Sequence, residues 1–80
     1  MNRLEILELI NQVLLKRGRT PVSDESLTTR SANFRSLDFS EVALRVEMAM
    51  GRELAFDAAT MRRIETIKDV LDFFEDVTRG

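Results

Sequence analysis

The chain has 80 residues, 44% apolar and 32% charged, which suits one small folded domain over residues 1–80 and leaves no room for a second core. It has no cysteine and no histidine, so disulfides, thiolate sites, the commonest general base and the commonest metal ligand are excluded together. Twelve basic residues against fourteen acidic ones leave a net charge of −2, without the basic excess by which a nucleic-acid binder displaces counterions.

At the amino terminus, Glu5 and Glu8 interrupt the apolar run from Leu4 to Ile10. Neither a signal peptide nor membrane insertion is expected, and the cytoplasm is the expected compartment. Over residues 3–17, Leu4, Leu7, Ile10 or Asn11, and Leu14 recur at helical spacing, with Ile6 and Val13 widening the stripe. Lys16 and Arg17 complement the helix dipole in the last turn. Gly18 suits the left-handed position beyond it, and Pro21 follows. Residues 18–35 form a long polar connection with Leu27 as the expected apolar anchor and a partial turn over residues 23–27.

A second helix is expected from Ser36 to Met50 or Gly51. Phe39, Ala43, Val46 and Met50 form its inner face, and Val42 and Ala49 extend it. Asp57 is placed to cap a short helix running through Met61 to about Ile64. Thr66 and Asp69 fit a capping box, and Ile67, Val70, Leu71, Phe74 and Val77 form the last buried stripe. No apolar stretch alternates as a strand would. The expected fold class is all-α: a small four-helix bundle of three longer helices and one short one, with a long loop after the first.

Ser36 stands between the polar loop and the second helix. Its plainest role is an N-cap, with Asp38 complementing the dipole in the first turn. With no histidine or cysteine in the chain, Ser36 has no evident base of its own, so any chemistry at its hydroxyl requires another protein. Leu37, Leu44 and Met48 form a second apolar line beside the inner face. They read either as the edge of the core or as a docking strip, with Asp38, Glu41 and Glu47 as steering charge at its margin.

The run Asn33-Phe34-Arg35-Ser36-Leu37-Asp38-Phe39-Ser40-Glu41-Val42 resembles the modification motif of acyl carrier proteins, whose core is Asp-Ser-Leu followed by a helix. The similarity continues through Val46 and Glu47, through Glu53-Leu54-Ala55-Phe56-Asp57, and through Ile64-Glu65-Thr66-Ile67-Lys68-Asp69-Val70-Leu71-Asp72-Phe73. The resemblance implies a carrier and not an enzyme. A phosphopantetheinyl transferase would attach 4'-phosphopantetheine to Ser36, and the arm's thiol would carry acyl or aminoacyl groups as thioesters. Implied partners are an acyl- or aminoacyl-activating ligase, synthases and acyltransferases of lipid, polyketide or related biosynthesis. They would dock on a monomer through Arg35, Leu37, Asp38, Glu41, Leu44, Arg45 and Met48. The reactive thiol arrives with the cofactor, which suits a chain that has none of its own.

Three departures from the family pattern stand out. Arg35 replaces the usual Asp before the serine, reversing a charge beside the modification site. Asn33 replaces a usual Gly, a mild change because Asn tolerates the left-handed conformation. Met48 and Ala49 stand where acids are common, and Arg45 and Arg52 add positive charge. These departures point to a specialised carrier with its own partners, or to drift on a solvated face. Arg35 also favours an alternative: a carrier-like helical interaction module that is never modified, in which Ser36 only caps its helix.

Overall fold

Local polar chemistry decides where each helix begins. The computed structural model describes residues 1–79, and its elements are α1 (Arg3–Lys16), α2 (Ser36–Met50), α3 (Ala58–Arg63) and α4 (Ile67–Thr78). Asn2 opens α1 with a capping box: its Oδ1 accepts from Glu5 N–H at 2.8 Å, and Glu5 Oε1 accepts from Asn2 N–H at 3.0 Å. Asp57 Oδ1 accepts from Thr60 N–H at 2.9 Å to start α3, as the sequence predicts. Thr66 and Asp69 close the expected box at α4, with bonds of 3.1 and 3.0 Å. Gly51 ends α2 at φ 70°, a backbone conformation that costs a residue without Cβ little. The fold is all-α, three longer helices and one short one, with an isolated bridge between Thr28 and Thr66.

α1 packs against both α2 and α4. The core is Ile6, Ile10, Val13 and Leu14 from α1, Phe39, Val42, Ala43 and Val46 from α2, and Ile67, Val70, Leu71 and Phe74 from α4. Phe39, Phe56, Phe73 and Phe74 join in one aromatic group, with ring centroids 5.0 Å apart for Phe39 and Phe74. Two edges of the expected stripes lie outside: Leu4 and Ala49 are exposed. The buried face of α1 centres on Ile6 and Ile10, because two neighbours bracket it and leave Leu4 beyond their reach.

The long loop is anchored differently from expectation. Leu27 stays 36% exposed, and Val22 and Phe34 are the buried side chains. Val22 is clasped from α1: its N–H donates to Asn11 Oδ1 at 2.8 Å, and its carbonyl accepts from Asn11 Nδ2 at 3.0 Å. Asp24 makes the expected turn, accepting from Ser26 N–H at 2.9 Å. The loop then meets the start of α4, where Leu27 and Glu25 carbonyls accept from Ile67 and Lys68 N–H at 2.9 Å each. Those N–H groups have no partner within their own helix. Arg3 fastens the same corner, pairing with Glu25 at 2.7 Å, with Asp72 at 2.8 Å and with Glu75. No helix among the described residues is long and apolar enough to cross a membrane.

Candidate functional site

The approach to Ser36 is built by a tight turn. Phe34 N–H donates to Thr29 O at 2.8 Å, and Asn33 sits at φ 60°. That is the left-handed conformation expected of a residue standing where the family pattern has Gly. Burial of the Phe34 side chain pins the turn to the core. Arg35 is extended, at φ −105° and ψ 175°, and Ser36 is the first helical residue of α2.

The N-cap position therefore belongs to Arg35 and not to Ser36. Capping comes from within the helix, where Asp38 Oδ2 accepts from Arg35 N–H at 2.7 Å. Ser36 is exposed, and no hydrogen bond engages its hydroxyl among the described residues. Beside it opens a cleft of about 70 Å³ lined by Thr29, Phe34, Arg35, Phe39, Met61 and Ile64. The sequence places Met61 and Ile64 at the end of the short helix without assigning them to a site. Their signal was two apolar residues at helical spacing with no core stripe to join.

Asp38 departs furthest from expectation. The sequence places it at the margin of a docking strip, but its side chain is 0% exposed. Two residues past Ser36 is a rotation of about 200° around the helix, so an exposed serine turns Asp38 inward. There it meets the residues that follow α1: Arg17 Nη1 lies 3.1 Å from Oδ1, and Arg19 Nη1 pairs with Oδ2. Arg19 also donates to Asn33 O at 2.9 Å, so one guanidinium holds both the turn and the start of α2.

Glu41 is likewise engaged. Its carboxylate accepts from Arg17 at 2.7 Å, from Lys16 at 3.3 Å and from Arg45 at 3.0 Å. Arg17 foremost, with Lys16 and Arg45, holds its pKa down to about 2. Arg45 reaches Gln12 as well, at 3.2 Å. Glu47 Oε2 accepts from Leu54 N–H at 2.8 Å. All three carboxylates of α2 thus serve intramolecular bonds. Besides Ser36 and Ser40, what α2 turns outward is apolar: Leu37 is 72% exposed, Leu44 55% and Met48 75%. Leu44 and Met48 border a groove between α1 and α2 that Leu9, Gln12 and Lys16 complete.

Among the described residues, no group of three or more acidic side chains converges as a metal site. Ser36 thus presents a solvent-facing hydroxyl at a helix start, free of capping duty and beside a cleft whose apolar wall is Phe34, Phe39, Met61 and Ile64.

No protein-family model matches the chain, and no solved structure matches it. The chain is similar to the acyl carrier protein of Coprothermobacter proteolyticus, with 32% identity over 80 aligned positions. The match covers 94% of this chain and 93% of that protein. Likeness over almost the whole of both chains, joined to the helical order and the serine-bearing start of α2, establishes that the chain belongs to the acyl carrier protein family.

Proposed function

We propose that this chain is a carrier modified with 4'-phosphopantetheine on Ser36, not a catalyst in its own right. The observation that carries the reading is the exposed Ser36 hydroxyl, relieved of capping by Asp38. In the transfer, the serine oxygen forms a phosphodiester with the pantetheine phosphate of coenzyme A. The pyrophosphate bond breaks, and adenosine 3',5'-bisphosphate leaves. The serine proton goes to a base on the transferase, since the chain has no histidine or cysteine. When attached, the arm supplies a thiol on which acyl or aminoacyl groups travel as thioesters.

The rest of the reading follows from this chain's own residues. The start of α2 presents free backbone N–H groups and the positive end of the helix dipole to the phosphodiester. Phe39, Met61 and Ile64 offer apolar contact to the first atoms of a cargo. Leu37, Leu44 and Met48 form the strip on which the transferase, ligases, synthases and acyltransferases dock.

The second reading, an interaction module never modified, is favoured by Arg35 beside the serine. Incubation with coenzyme A and a broad-specificity phosphopantetheinyl transferase, followed by intact mass measurement, separates the two. The expected result is one phosphopantetheine increment on the wild type and none on Ser36→Ala. No increment with any of several transferases would establish the unmodified module instead.

A further inference from the structure

We infer that the partner docking at the Ser36 end of α2 presents carboxylates around an apolar recess, so that this carrier offers its partners a positive rim. The inference rests on the docking role proposed for α2 and adds the charge of the partner. Three observations carry it. First, Asp38 and Glu41 are paired with Arg17, Arg19, Lys16 and Arg45, and Glu47, which accepts from Leu54 N–H, lies at the opposite end of α2, so no carboxylate of the Ser36 end is free to meet a cationic partner. Second, Arg30 and Arg35 are exposed and line one open cleft with Ser36, and neither pairs with a carboxylate among the described residues. Third, the far wall of the adjoining cleft is α3, which carries exposed Arg62 and Arg63 between the lining residues Met61 and Ile64.

Acids on the same side do little to offset this. Two exposed carboxylates stand there, Asp57, kept ionised by Thr60 N–H and hydroxyl at 2.9 and 3.0 Å, and Glu65, whose carbonyl accepts from Thr29 N–H, against the four guanidinium groups of Arg30, Arg35, Arg62 and Arg63. A partner approaching Leu37, Leu44 and Met48 therefore buries apolar surface at its centre and meets guanidinium groups at the serine end. Carboxylates there steer association, whereas cations are repelled.

Two transferases test the inference, one with an acidic and one with a basic carrier-binding face. The readout is kcat/KM for loading Ser36 from coenzyme A, measured against salt. With the acidic-faced enzyme, Arg30→Asp combined with Arg35→Asp should lower kcat/KM about tenfold at low salt, and high salt should erase the difference. The same double variant should improve loading by the basic-faced enzyme. Leu44→Glu should slow both enzymes while circular dichroism shows unchanged helicity.

Equal rates for wild type and double variant with both enzymes would overturn the inference. So would a uniform loss accompanied by a raised KM for coenzyme A, because the arginines would then be contacting the donor's phosphates. A concentration-dependent dimer in sedimentation that buries Leu44 would assign the strip to a second copy and overturn it as well. Failure of every transferase to load Ser36 would sink the carrier reading itself, a result distinguishable from all of these.

Discussion

The α1–α2–α4 body and the short α3 are held by different means. In the body, each helix contributes several side chains with no exposed surface, and ion pairs cross from α1 to α2 (Lys16 to Glu41) and from α1 to α4 (Arg3 to Asp72). α3 has six residues and none of them is buried. Its Asp57 cap and the half-buried Met61 and Ile64 are its main ties to the rest. Ser36 stands where the two meet. Its hydroxyl is on a helix fixed by Asp38, while one wall of its cleft belongs to α3. Were Ser36 to carry the arm as proposed, that division would keep the attachment point at a constant geometry, and the lightly held wall would open at lower cost than the body.

Breaking the body should have the largest effect. Phe74→Ala removes a fully buried ring from the aromatic group and should cost about 3–5 kcal/mol in urea unfolding. Met61→Ala on α3 should cost about 1 kcal/mol or less. Equal losses would erase the distinction between the two regions.

Next comes the seam between α1 and α2. Asp38→Ala should cost about 2–3 kcal/mol, because it removes a buried partner of two guanidinium groups together with the acceptor for Arg35 N–H. The loss stays below that for a fully buried pair because Arg17 and Arg19 reach water with 31% and 21% of their side chains. Asp38→Asn retains an acceptor and should lose less. If the two variants are equally destabilised, the capping bond contributes nothing and the charge alone matters.

The smallest effect is a change of slope with pH. Arg17 holds Glu41 well below its usual value, Arg3 lowers the pKa of Glu25, and backbone N–H groups of Glu65 and Thr66 lower that of Asp69. Each carboxyl is more acidic folded than unfolded, so its stabilisation is complete above the ordinary carboxylate range and is lost as protons bind. Melting temperature should therefore fall as pH drops from about 4.5 toward about 2, the interval over which Glu41 titrates differently in the two states. Glu41→Gln should flatten part of that fall. Parallel curves for variant and wild type would mean that the cluster around Glu41 adds nothing to the body.

Helix order, helix limits and a serine at the head of α2 were legible in the residues, because caps, left-handed glycines and apolar spacing act within a few positions of one another. Gly18, Gly51, Asp57 and the Thr66–Asp69 pair each do in the structure what their sequence context predicts. The Asn2 box at α1 is equally local, an Asn three residues before Glu5 and ahead of the apolar stripe. Loop anchoring was less legible: Leu27 and Val22 look alike in sequence, and only Asn11 across the α1 surface distinguishes them.

The sequence by itself determined that this is a small all-α chain of the carrier type, with a serine at the head of its second long helix. Only the tertiary structure decided that Ser36 is free of capping duty and that the acids following it face their own arginines. The reason is distance along the chain. Asp38 finds Arg19 from 19 residues away and Glu41 finds Arg17 from 24, so whether a helix face is acidic depends on the helix packed beneath it as much as on its own residues.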